Sequence, residues 1–202
     1  MSTRVIIPPE PIVMPGDVPG AHAADDQHIA AMIAAATAEI DGADGWVGRA
    51  FGPQTLEWSG WSGCERIVLP CRPIIKIVSV ITEDRDGSAQ PVDPSAYRRD
   101  GDYLVPATGA AWAHRPLHRI RYEAGYDGHP VADGGTGDVP AQVKQAIVLA
   151  VQHMMALSAD NLFLRSEDVE GIGSRTYTVS EQAGQVIRHA TNSLLSGLRV
   201  YR

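Results

Sequence analysis

Residues able to do chemistry are sparse in this 202-residue chain, and their spacing argues against most catalytic arrangements. Gly60-Trp61-Ser62-Gly63-Cys64 sets a serine between glycines. A nucleophile elbow needs the second glycine one place later and a strand-to-helix turn around the serine. His114 and His118 are four residues apart, a helical spacing for two metal-binding imidazoles. Pro116 between them breaks such a helix, and no thiol or carboxylate stands at ligand spacing, so both read as surface histidines. Gly171-Ile172-Gly173 lacks the third glycine and following helix of a dinucleotide loop, and Gly134-Gly135-Thr136-Gly137 lacks the lysine of a phosphate loop. Glu83-Asp84 and Glu167-Asp168 fall in turns without opposed partners, which leaves no acid/base pair. A hydrolase built on Ser62 or His114 therefore gains little support. No catalytic residue, cofactor or metal is assigned, and the chain is not read as an enzyme.

Two aromatic residues offer a binding alternative. Trp58 and Trp61 could stack on a sugar or another small ligand, giving a carbohydrate- or ligand-binding module. Three places apart in a strand, they fall on opposite faces, which favours a core or interface role over a shared platform. Cys64 and Cys71 bracket a short apolar stretch at a spacing that admits a hairpin disulfide. Met1 to Gly16 has no continuous apolar segment of the secretory kind, so two reduced thiols in a cytoplasmic protein are expected.

Composition narrows the classes further. The chain carries 24 acidic and 17 basic side chains, a formal charge of −7, and is 44% hydrophobic. It can bury a core, and its negative balance argues against coating a duplex, whose affinity rests on cations meeting phosphates. Arginine outnumbers lysine 15 to 2, a bias ascribed to a GC-rich genome. The longest apolar run, residues 29–36, is far short of the roughly 18 residues of a membrane span.

The elements that would position these residues follow from periodicity. Residues 1–24 hold Pro8, Pro9, Pro11, Pro15 and Pro19 and read as an extended arm. A helix begins at Asp25 or Asp26, with Ile29, Met32, Ile33, Ala36 and Ile40 on one face. Strands are expected at Thr55–Trp58, Arg66–Leu69, Ile74–Ile81, Tyr97–Arg99, Tyr103–Val105 and Arg119–Glu123. The third is apolar on much of both faces and reads as a central strand. Short connections predict a mainly antiparallel sheet. After a Gly/Asp/Pro-rich link, a second helix runs from about Pro140 to Leu157, capped by Asp138, with Val143, Ile147, Val151 and Met154 in its apolar stripe. Residues 158–174 read as a polar loop, Arg175–Val179 as a strand and Glu181–Leu198 as an amphipathic helix. The fold class is α+β: Ala-rich helices packed with a β region inserted between the two main helices, plus a C-terminal helix.

Three segments carry a resemblance. Asp25 to Phe51, ending Gly48-Arg49-Ala50-Phe51, is similar to the opening helix of the head–tail connector (adaptor) family of tailed bacteriophages and phage-like gene transfer agents. Leu69-Pro70-Cys71-Arg72-Pro73-Ile74-Ile75-Lys76-Ile77-Val78-Ser79-Val80 resembles its proline-led strand. Ile120-Arg121-Tyr122-Glu123-Ala124-Gly125-Tyr126, followed by Val139-Pro140 and Lys144-Gln145-Ala146-Ile147, resembles its strand ending in Ala-Gly-Tyr and the helix after it. The likeness spans about residues 25–157. The family often opens with an additional short helix where this chain has its proline-rich arm, and Met154-Met155 stands where an aromatic and charged helix ending is usual.

The resemblance implies a structural protein, made in the bacterial host cytoplasm and assembled into the particle at the head–tail junction. Its implied partners are the portal protein, the next connector (stopper) or tail protein, copies of itself in a twelvefold ring, and double-stranded DNA in transit, with no membrane. Residues 25–157 would be the connector domain and 158–202 a loop and portal-docking segment. Tyr177, Val179, Val186, Ile187, Leu194, Leu195, Leu198, Arg199, Tyr201 and Arg202 are the expected docking residues. Ile29, Met32, Ile33, Ala36, Ile40, Val143, Ile147, Val151 and Met154 are the expected subunit-packing residues. A ring of net-acidic subunits would repel phosphate and let a genome slide, with Asp84, Asp86, Asp100, Asp102 and the 167–170 cluster as candidate lumen acids.

Overall fold

The computed structural model describes residues 1–61, 66–84, 86–108, 112, 117–157, 166–169, 173–176 and 181–200. The chain divides into two compact units, each assembled from separated stretches. The first comprises Met1–Ile12, Ala38–Val139 and Leu198–Arg202; the second comprises Val13–Thr37 and Pro140–Gly197.

The first unit is built on a five-stranded antiparallel sheet. Its strands are β1 (Ser2–Ile7), β2 (Gln54–Trp61), β4 (Ile74–Glu83), β5 (Ala89–Pro91) and β8 (Leu117–Ala124), in the order β1-β2-β8-β4-β5. A smaller antiparallel sheet joins β3 (Ile67–Val68), β7 (Tyr103–Pro106) and β6 (Tyr97–Asp100), with β7 in the middle. Strict alternation along β8 explains the layering: His118, Ile120, Tyr122 and Ala124 are buried, while Arg119, Arg121 and Glu123 are half-buried on the other face. The buried set joins Leu56 and Trp58 of β2, Ile74 and Val80 of β4, and Ile67, Leu69 and Leu104 from the small-sheet side in one core. Each such large apolar side chain contributes roughly 1.5–3 kcal/mol when fully buried. The Tyr122 hydroxyl finds an acceptor in the Pro70 carbonyl at 2.8 Å, so its burial leaves no orphaned donor.

Four sequence expectations change here. The central strand is β8, whereas β4 lies between β8 and the three-residue β5 and leaves Val78 exposed at a register shift. His118 is no surface residue: its even-numbered place in β8 turns it into the core, against the ring of Trp112 at 5.3 Å. Burial there lowers its basicity and keeps the imidazole neutral. The beginning of the arm is a sheet edge, with Thr3 opposite Trp58, Arg4 opposite Glu57 and Val5 opposite Leu56. Its β-branched run suits pairing, which stops where Pro8 and Pro9 begin. Residues 166–169, expected in a loop, pair as a strand with 173–176.

The second unit is mainly helical. Helix α1, Gln27–Ile40, opens where the Asp26 carboxylate accepts from the backbone N–H groups of His28 (2.8 Å) and Ile29 (3.2 Å). Only its last three residues belong to the first unit. Helix α2, Ala141–Ala156, has Pro140 at its cap with no side-chain cap; the expected Asp138 does not serve. Pro140 lacks a backbone N–H that a first turn would leave unpaired in any case. Helix α3, Glu181–Ser196, packs along α2, and a two-stranded antiparallel hairpin joins β9 (Ser166–Val169) and β10 (Gly173–Thr176).

Within the first unit, the segment after α1 is tied by one carboxylate. Asp41, buried, accepts from the backbone N–H groups of Phe51 (2.7 Å) and Gly52 (3.0 Å) and from the Gln54 amide (2.9 Å). Burial raises its pKa above the ordinary value, and the hydrogen bonds from Gly52, Phe51 and Gln54 only partly offset that. Asp41→Ala should cost about 2–4 kcal/mol in urea unfolding, because two buried backbone donors lose their acceptor. On the outer face of the sheet, Glu57 lies between Arg4 (2.6 Å) and Arg121 (3.1 Å). Burial alone would raise its pKa, but the two guanidinium groups outweigh burial and hold it below the ordinary 4.5. Stability from this group is therefore present above pH 4.5 and lost as pH falls through the lowered value. The wild type should lose unfolding free energy below pH 4.5 more steeply than Glu57→Gln; parallel profiles would contradict the assignment.

Candidate assembly surfaces

The residues expected to pack subunits against one another divide sharply by accessibility. Ile29, Ile33, Ala36, Ile40, Val143, Ile147 and Val151 are all buried inside the single chain. Their stripes are spent on the protomer's own core, so they offer no area to a neighbouring copy. Met32 and Met154 are half-buried and retain surface. What α1 presents outward instead is alanine, at 30, 31, 34, 35 and 38.

The expected docking residues divide in the same way. Tyr177, Val179, Tyr201 and Arg202 lie outside the described residues. On α3, Val186 is 67% exposed, Ile187 and Leu194 are half-buried, and Leu195 is completely buried. The helix thus spends one part of its apolar face internally and leaves Val186 to solvent.

Beyond α3, residues 198–200 turn onto the loop that follows α1, all within the first unit. The Arg49 Nε donates to the Leu198 carbonyl at 2.6 Å, the Val200 N–H donates to the Val47 carbonyl at 2.9 Å, and the Arg199 guanidinium stands 5.5 Å from the centre of the Trp46 ring. Gly48 makes room for this approach. Its φ of +74° is left-handed, and a Cβ there would come within 3.2 Å of the Val200 carbonyl oxygen. Beside this clasp opens a cleft of about 340 Å3, lined among others by Met1, Thr3, Trp58, Leu69, Cys71 and Val200. Sequence reasoning missed the clasp because its partners are about 150 positions apart and share no local signature.

Elsewhere among the described residues, charged pairs line the outer sheet face. Lys76–Glu123 (3.0 Å) and Arg119–Glu83 (3.4 Å) flank the Arg4–Glu57–Arg121 row on the outer sheet face. Of the candidate lumen acids, Asp102 pairs with Arg72 at 3.1 Å, Asp100 lies 3.8 Å from Arg98, and Asp84 and Asp86 are exposed beside the β4–β5 turn. Glu167 and Asp168 fall on β9. The loop 125–138 is closed on itself: the Asp127 carboxylate accepts from His129 N–H (3.0 Å) and Thr136 N–H (2.9 Å), and the Thr136 hydroxyl donates to Gly125 O at 2.8 Å. It carries the exposed Val131.

The two tryptophans do not form a platform. Trp58 is 4% exposed in the core, whereas Trp61 is 56% exposed and belongs to the outer face with Glu57. Among the described residues no group of three His, Cys, Asp or Glu could hold a metal ion, and no helix is long and apolar enough to cross a membrane. Ser62, Cys64 and His114 lie outside the described residues, and Cys71 is buried.

No family model matches the chain, and no curated protein resembles it in sequence. Solved structures do match in fold, over the whole chain. The neck of a native gene transfer agent particle computed with C12 symmetry aligns with a TM-score of 0.64 at 16% identity, covering 100% of this chain and 97% of the other. The neck of an empty particle computed with C6 symmetry gives 0.63 at 18% identity, with the same coverage. The virion of the native gene transfer agent gives 0.63 at 17% identity, again covering 100% and 97%. The chain has the fold of a chain from gene transfer agent particles, in keeping with the connector family that its sequence resembles.

Proposed function

We propose that this protein is a structural head–tail connector: a ring below the portal that extends the DNA channel and offers a platform to the next connector or tail component. The observation that carries this reading is the whole-chain likeness to necks computed with C6 and C12 symmetry. Rotational rings are closed by heterologous contacts, in which two different patches of one subunit meet on neighbouring copies. The half-buried Met32 and Met154 are the members of the expected packing set with surface left for such contacts. The net charge of −7 suits a conduit that DNA must traverse without being held.

Portal docking is assigned to the C-terminal segment, in the helix-in-groove manner, with Val186 as the exposed anchor and Ile187 and Leu194 beside it. Single-particle imaging of assembled particles should find this protein as a ring between portal and tail. A density assigned elsewhere in the particle would refute the connector role. Val186→Glu should leave stability within about 0.5 kcal/mol, since the side chain is exposed. The same variant should weaken attachment to portal-bearing heads about tenfold or more, the worth of one buried valine. Normal attachment would remove α3 from the portal contact while leaving the ring to the imaging result.

A further inference from the structure

We infer that residues 198–200 form a self-clasp that gates the C-terminal segment, so that docking requires the tail first to leave its own loop. This rests on the portal-docking reading above and adds its regulation. Leu198 and Arg199 are two of the residues assigned to docking, yet each already has an intramolecular partner. The Leu198 carbonyl is taken by Arg49, the Arg199 guanidinium stacks over Trp46, and the next residue is held through Val200 N–H to Val47 O. A charged donor on a backbone carbonyl is among the stronger hydrogen bonds, and a cation over an indole adds to it. A partner that uses the Arg199 guanidinium must therefore compete with Trp46 for it, and one that buries the Leu198 side chain must take up a backbone already held by Arg49.

The site is shaped for the tail rather than touched by it incidentally. Val47 is completely buried, so its carbonyl presents a fixed acceptor. At Gly48 the left-handed backbone and the missing Cβ together admit the Val200 carbonyl. Gly197, between α3 and the clasp, has nothing within 4 Å of where a Cβ would stand. Glycine there carries no side chain to restrict the backbone, which suits a turning point between α3 and the clasp. Release would also remove Val200 from the wall of the cleft that Trp58 and Cys71 line.

The test uses the full-length chain with Arg49→Ala, and Trp46→Leu as a second variant that leaves Arg49 and its backbone bridges in place. Hydrogen exchange at the Val200 amide reports the clasp, and attachment to portal-bearing heads reports docking. Exchange should speed up about tenfold once the charge-assisted bond is lost, with far-UV circular dichroism unchanged and attachment increased. Unchanged exchange in both variants would mean that these side chains do not hold the tail, and the gate is refuted. Faster exchange with weaker attachment would show that the clasped form is the one that docks, which also refutes it. If wild type and variants all fail to attach while exchange still accelerates, the portal reading is what has failed, and the gating role goes with it.

Discussion

The architecture of the first unit depends on one junction, where a buried carboxylate and a set of backbone bonds tie three distant stretches of chain. Asp41 fixes Phe51 and Gly52 by accepting from their N–H groups. The same stretch meets the proline-led strand through Ala50 N–H to Arg72 O at 3.2 Å, and the end of β8 through Tyr126 N–H to Phe51 O at 3.0 Å. Gly125 N–H donates to Pro73 O at 2.9 Å, and the rings of Phe51 and Tyr126 stack with centroids 6.5 Å apart. Gly125 has a φ of +119°, and any Cβ there would collide with the Gly52 carbonyl, so glycine is required. These are the segments that carry the connector resemblance, and the junction joins them to one another through their backbones. They are packing motifs, each holding another's backbone.

Once the junction is set, the sheet separates two kinds of surface. The inner face closes over an aromatic and aliphatic core whose buried polar groups sit beside rings or carbonyls. The outer face is a lattice of alternating charges in which Glu57 is the least accessible member. The opposite pKa directions of Asp41 and Glu57 reflect these settings: burial dominates for the first, and two arginines outweigh it for the second. Neither arrangement resembles a site poised for proton transfer, where a titratable group would open onto a substrate cavity.

Much of this was legible in the sequence, and the misses have physical causes. Alternation in Arg119–Glu123 and the helical stripe from Ile29 to Ile40 predicted their elements, because local period reports the buried face. The capping role of Asp26 was readable from its place before the stripe. The strand at Ser2–Ile7 was hidden by the prolines after it, although Val5-Ile6-Ile7 was itself a strand signal. His118 was misplaced because polarity was weighed before parity; two residues before Ile120, it had to face inward. Periodicity marks a helix's apolar stripe without saying whether the protomer or a neighbour covers it, a distinction that accessibility makes. Asp41 looked like any acid beside a turn glycine, since its three donors lie 10 to 13 positions downstream.

The discontinuous make-up of the first unit has a consequence for biosynthesis. Residues 198–200 are translated after everything they bind, and the Arg49–Leu198 bond spans 149 positions. The sheet and its junction can therefore mature on the ribosome while the loop at Trp46–Arg49 still lacks its last partner. The three clasp contacts form only after residues 198–200 have been made. A chain truncated before residue 198 therefore lacks the Arg49–Leu198 and Val200–Val47 hydrogen bonds and the Arg199–Trp46 stacking contact.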